Sequence, residues 1–247
     1  MRESEENKSS ISRDLDTMAR LLVKYDLCKN PKPLYDAVTE CLNRSNGEYW
    51  NYKITGLRFD IDNIGHILPH GADLLEADFS IVIKGNYCDL ETICNPIIDI
   101  EFNIELIGTR TEINDLHSSW HLDKHPLDED GEETKFIHPE YHFTFGGRRM
   151  WHSGKDYGAA LVLSSPRLIH PPMDAILGID FIIQNYISKK RRKSLTQDRE
   201  YRKLLYNSQL RIWRPFWISV ASAWNKFPFD SIALQPAQLA PNIVCSL

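Results

Sequence analysis

The chain predicts an α+β fold in which N-terminal helices, an antiparallel β meander and C-terminal helices packed on the sheet follow one another in sequence. Three observations carry this expectation. Apolar residues recur at helical spacing at Leu15, Met18, Leu21, Leu22 and Tyr25. They switch to alternation with polar residues between Tyr52 and Ile61, and again from Ile98 to Leu106. After Pro166 the spacing becomes helical once more. A length of 247 residues with 42% hydrophobic content is enough for one sizeable core. With no internal repeat and no low-complexity linker, residues 11–247 read as a single domain.

Residues 1–10 are polar and read as a disordered tail. From 11 to 45 the chain reads as helical. Ser12 is the expected N-cap of the first helix, and Pro31 and Pro33 separate it from a second one with Leu34, Val38, Cys41 and Leu42 on one side. Residues 50–165 read as β-rich. In "NYKITGLRFDID" Gly56 interrupts the alternation and marks a bulge. "ADFSIVIKG" and "PIIDIEFNIELIG" are further strands, the latter with Ile98, Ile100, Phe102, Ile104 and Leu106 on one face. "YHFTF" and "RRMWH" flank Gly146-Gly147 and predict a two-residue hairpin that sets Phe143 opposite Met150 and His142 opposite Trp151. "GAALVLSS" suggests one more strand.

Residues 170–227 return to helix. Pro171 and Pro172 suit the first turn, and "MDAILGIDFIIQNYI" is apolar nearly all round, so it belongs in the core. Ser194 is placed to cap a following helix that carries Tyr201, Leu204, Leu205 and Ile212 on its apolar stripe. "PFWISVASAWNKF" forms a third helical segment, and the proline-punctuated residues 228–247 read as extended.

The charge of −5 is unevenly spread. Between Lys189 and Arg214 there are ten Lys or Arg against two acids, a local net of +8, so the remainder carries −13. Within this basic run, Lys189, Lys190, Arg191, Arg192, Lys193, Arg199, Arg202 and Lys203 suit a nucleic-acid backbone or an acidic protein partner. Trp213, Trp217 and Trp224 follow it and suit a subunit interface.

Five cysteines without a CxxC pair argue against a disulfide framework and a cysteine-rich zinc site. The polar N-terminus carries no signal-peptide pattern, and no apolar run approaches the roughly 20 residues of a bilayer span. The expectation is a cytoplasmic protein without a membrane partner.

One constellation points to chemistry. "WHLDKH" and "HPEYHF" hold four of the nine histidines. Extended backbone sends alternate residues to one face, so His121, Asp123 and His125 would share a face, as would His138, Glu140 and His142. Imidazoles and carboxylates together suit zinc or manganese, and metal-activated water would hydrolyse phosphoesters, with Arg148 or Arg149 of "GGRRM" holding phosphate. The other reading makes these histidines sheet-edge residues, since Pro126 and Pro139 interrupt the extended segments. No nucleophile elbow, P-loop or dinucleotide fingerprint is present. His117 and His121 have the spacing of a zinc-protease pair, but Ser118 stands where its glutamate belongs.

The blocks "WHLDKH", "HPEYHFTFGGRRM" and "SPRLIHPPMDAILGIDF", within residues 115–185, resemble a family of uncharacterised bacterial proteins found among mobile and defence-related genes. The resemblance implies membership of a multicomponent, antiviral-type system and no particular residue roles. The order of elements is also similar to the ubiquitin-conjugating fold, but "HPP" at 170–172 lacks the asparagine of that family's motif and the catalytic cysteine after it. The resulting expectation is a non-enzymatic adaptor with no cofactor; the alternative is a metal-dependent hydrolase.

Overall fold

The computed structural model describes residues 2–44, 49–62, 74–88, 93–109, 116–124, 139–146, 168–225 and 236–239. Among them, helices α1 (Arg2–Lys24) and α2 (Lys32–Arg44) precede strands β1 (Tyr49–Asp60), β2 (Leu74–Asn86), β3 (Ile97–Thr109), β4 (Leu116–Lys124), β5 (Tyr141–Phe145) and β6 (Leu168–Ile169). Helices α3 (Ala175–Tyr186), α4 (Lys189–Gln197) and α5 (Arg199–Ser208) follow; a π turn (Gln209–Trp213) joins α5 to α6 (Arg214–Ser222), and α7 (Pro236–Leu239) comes last. The strands form one sheet in sequential order, every neighbouring pair antiparallel. This is the expected α+β meander between two sets of helices.

One face of the sheet carries the core: Trp50, Tyr52, Ile54 and Phe59 of β1, Phe79, Ile81 and Ile83 of β2, Phe102 and Ile104 of β3, Leu122 of β4 and Phe143 of β5. Leu15, Met18 and Leu22 of α1, Leu34 and Cys41 of α2, and the apolar α3 belong to the same cluster. Helix α3 comes close to the strands because residue 178 is glycine. A Cβ there would collide with the Phe102 ring. Gly85 likewise makes room for the Trp50 indole, whose Nε1 donates to the Asn86 carbonyl at 3.0 Å.

Several local expectations change. Residues 2–10 are helical, continuous with the rest of α1. That stretch contains neither Gly nor Pro, so nothing stops the helix running back past Ser12, which is buried mid-helix instead of capping. Leu42 of α2 is exposed, and Ala37 takes its place on the buried side. In β3 the register slips opposite Lys84 and Gly85, so that Ile97 is buried while Ile98 faces solvent. The expected alternation thus begins one bulge later. The bulge at Gly56 forms as expected, with φ +69° and a register shift between Ile54 and Leu57.

Gly146 also has positive φ, but residues 147–151 lie outside the described residues, as does "GAALVLSS". At His142 and Phe143 the edge of β5 away from β4 is paired with Ile169 and Leu168; the expected partners Trp151 and Met150 lie outside the described residues. In the C-terminal part, α3 starts at Ala175 with Asp174 as its N-cap, so Pro171 and Pro172 precede it. Ser194 lies inside α4; Asp198 caps α5, accepting from Glu200 N at 2.7 Å. Residues 236–239 form a helical turn where an extended tail is expected. Cys88 and Cys94 form a disulfide across the β2–β3 connection, with Cα atoms 5.9 Å apart, while Cys28 and Cys41 are buried and take no part in a disulfide.

Candidate functional site

The face of the sheet opposite the core is polar near its β4–β5 end. Leu122 and Phe143 point into the core, so their neighbours point outward. Asp123 stands opposite His142 in the β4–β5 ladder and opposite Glu101 in the β3–β4 ladder; His121 stands between Asn103 and Thr144. The outcome is a patch of two adjoining rows. Its centre is the Asp123 carboxylate, whose Oδ2 lies 3.4 Å from His121 Nε2 and 3.9 Å from His142 Nε2. These are ion-pair distances, longer than a direct hydrogen bond. The His142 side chain is nearly inaccessible, at 5% exposure, whereas Asp123 is 43% exposed.

Part of the predicted metal set can be placed. His121, Asp123 and His142 come together; His125 and His138 lie outside the described residues, and so do Arg148 and Arg149. Glu140 departs from its triplet. It sits on a bend after Pro139, buried, accepting from Asn95 Nδ2 at 2.6 Å, with Lys124 Nζ 3.8 Å away. Burial pushes the Glu140 carboxyl above its ordinary range and the Lys124 ammonium below its own. Lys124 is held by the carbonyls of Ile97 and Ile98 at 2.7 and 3.2 Å, and the Tyr141 hydroxyl donates to Asn95 Oδ1 at 2.5 Å. This network closes the end of the sheet. Among the described residues no group of three His, Cys, Asp or Glu is arranged to hold one metal ion.

The basic run divides by role. Arg191 is a tether: its Nη1 donates to the Asp60 carbonyl at 3.0 Å and to Asp62 Oδ1 at 3.1 Å, fixing α4 to the end of β1. Arg192 donates to the Gln184 carbonyl at 2.8 Å and to the Gln184 side chain. Lys189, Lys190 and Lys193 occupy the exposed side of α4, and Arg199, Arg202 and Lys203 the exposed side of α5, where Arg202 also reaches the Gln197 carbonyl at 2.7 Å. Their spacing of three and four residues keeps each group on one side of its helix. The tryptophans also separate. Trp213 is half-buried and donates through Nε1 to the Pro172 carbonyl at 2.9 Å. Trp217 and Trp224 are 51% and 60% exposed.

Between these features lies a buried ion triad that inspection of neighbouring residues cannot reveal. Arg211, in the π turn, donates from Nη2 to Asp174 Oδ2 at 3.2 Å and from Nη1 to Asp14 Oδ2 at 3.3 Å. Asp174 Oδ1 also accepts from the Ser208 hydroxyl at 2.7 Å and from Leu177 N at 3.1 Å. The three members lie about 160 and 40 residues apart in sequence, and they join α1, the start of α3 and the π turn. Burial raises the Asp14 carboxyl against the pull of Arg211. In sequence, Asp174 stands just before the apolar stretch of α3 and Arg211 within the basic span 189–214, with nothing to connect them. His170 does not join this group or the outer patch: it packs on Phe143, with ring centroids 5.2 Å apart, and its Nδ1 contacts the Pro171 carbonyl.

No helix among the described residues is long and apolar enough to cross a membrane. No protein-family model matches the chain, and no curated protein or solved structure is significantly similar to it.

Proposed function

We propose that this protein is a non-enzymatic binding subunit that docks on a polyanionic partner through the exposed basic side of α4 and α5. One observation carries the reading: six cations, Lys189, Lys190, Lys193, Arg199, Arg202 and Lys203, stand on the exposed sides of consecutive helices in a chain whose remainder is acidic. Arg191 and Arg192 are engaged in holding α4 to the body, which fixes the orientation of the exposed lysines. The bacterial-family resemblance sets this role in a cytoplasmic multicomponent system of the defence type. Co-purification with the products of neighbouring genes tests the proposal. The expected result is a stoichiometric assembly that is lost when Lys189, Lys190 and Lys193 are replaced by Glu. A parent chain that remains alone at low salt, or an assembly that survives the replacements, contradicts it.

A second reading, a metal-dependent hydrolase of phosphoesters, is favoured by the approach of His121 and His142 to Asp123. Elemental analysis of tag-free protein and of the His121→Ala, His142→Ala double variant decides it. Stoichiometric zinc or manganese lost in the variant supports the hydrolase; metal-free, folded protein removes it.

A further inference from the structure

Resting on the binding-subunit reading, we infer that the partner of the C-terminal helices is a single-stranded nucleic acid, held along the outward side of α5 and α6. The argument starts from helix register. The buried residues Tyr201, Leu204, Ser208, Ile212, Phe216 and Val220 recur, after the first step, every four residues. In an uninterrupted α-helix such a stripe would drift around the axis, because a turn takes about 3.6 residues. The π turn at 209–213, wider than an α turn, absorbs the surplus and keeps the stripe facing the core. The side opposite the stripe is consequently continuous as well.

On that side stand Arg199, Arg202 and Lys203, then Tyr206 at 60% exposure; further along, Trp217 is exposed on α6 and Trp224 in the turn that follows it. Cations and large exposed aromatics thus succeed one another along one helical run. From Arg199 to Trp224 it measures about 35 Å at helical rise, long enough for a site within the roughly 4–16 nucleotides that single-strand grooves hold. Trp217 does not swing freely, since its indole packs edge-on against buried Phe216 with centroids 5.1 Å apart. A fixed, exposed ring is a platform for a base.

This combination selects among polyanions. An acidic protein surface or a duplex satisfies the cations but offers no unstacked ring to the indoles. A single strand satisfies both, its phosphates meeting Arg199, Arg202 and Lys203 and its bases stacking on the aromatics. The lysines of α4 extend the positive field beside the track.

The test is a titration of labelled oligothymidylate, about 15 nucleotides long, with the full chain, read by anisotropy and tryptophan fluorescence, with a blunt duplex and polyglutamate as competitors. The expected affinity falls at least tenfold between roughly 50 and 200 mM salt. Replacing Trp217 and Trp224 together by Ala should weaken oligothymidylate binding by about tenfold or more, leave duplex competition unchanged and remove most of the fluorescence quenching. Both side chains are exposed, so a thermal melt matching that of the parent confirms that folding is intact. Tighter binding of polyglutamate or duplex, or indifference to the tryptophan replacements, overturns the single-strand assignment while leaving the binding-subunit reading in place. Failure of all three polyanions to bind overturns both.

Discussion

Asp174 combines three roles: it caps α3, accepts from Ser208 and pairs with Arg211. Removing it would leave Arg211, with a side chain only 19% exposed, facing Asp14 alone. Asp174→Ala is therefore expected to destabilise the fold by about 3 kcal/mol or more, the scale for breaking a largely buried pair, as measured by urea unfolding. A loss below about 1 kcal/mol would match a cap alone and contradict the ion-triad account. Asp198 makes a different kind of prediction. The Tyr25 hydroxyl at 2.6 Å and Lys24 at 3.0 Å hold its carboxyl far below the ordinary range. Because its folded-state value is depressed, its stabilisation is present above the unfolded value of about 3.9 and fades as pH falls through the folded value. Asp198→Asn should thus be less stable than the parent near neutral pH. The gap should narrow steadily as urea melts are taken into acid. A gap independent of pH would remove the charge from the explanation.

At the scale of elements, close approach of α3 to the sheet rests on Gly178. Gly178→Ala gains about 1 kcal/mol of helix propensity, yet it drives a methyl into the Phe102 ring between packed elements, a cost of roughly 1–3 kcal/mol. The net expectation is a lower melting temperature; a higher one would show that α3 can retreat freely. The elements were also where sequence reading did best and where its limits are physical. Alternation from Tyr52 to Ile61 and the all-apolar stretch of α3 named their own burial. Ile98 was misplaced because a one-residue bulge reverses every face beyond it, and two adjacent isoleucines give no sign of which one points inward. That His121 and Asp123 share a face was legible from strand parity; that His142 joins them was not, because it depends on the β4–β5 register, and Glu140 left its set at the bend after Pro139. The partner of β5 was not legible, since pairing across a long connection leaves no local mark.

For the whole molecule, the division of charge is the feature that links sequence to proposed function. An acidic body presents a basic side on α4 and α5, and the tethers through Arg191 and Arg192 show that part of the run is structural. The buried triad could not be foreseen, because Asp14 and Arg211 meet only once α1 and the π turn pack together. The measurement that bears most directly on the account is polyanion affinity in two variants: Lys189→Glu, Lys190→Glu, Lys193→Glu, and His121→Ala, His142→Ala. The account predicts at least a tenfold loss in the first, with a flatter dependence on salt as phosphate contacts disappear, and unchanged binding in the second. The reverse pattern, with binding lost on removing the histidines and retained after charge reversal, would contradict it and move function to the outer face of the sheet.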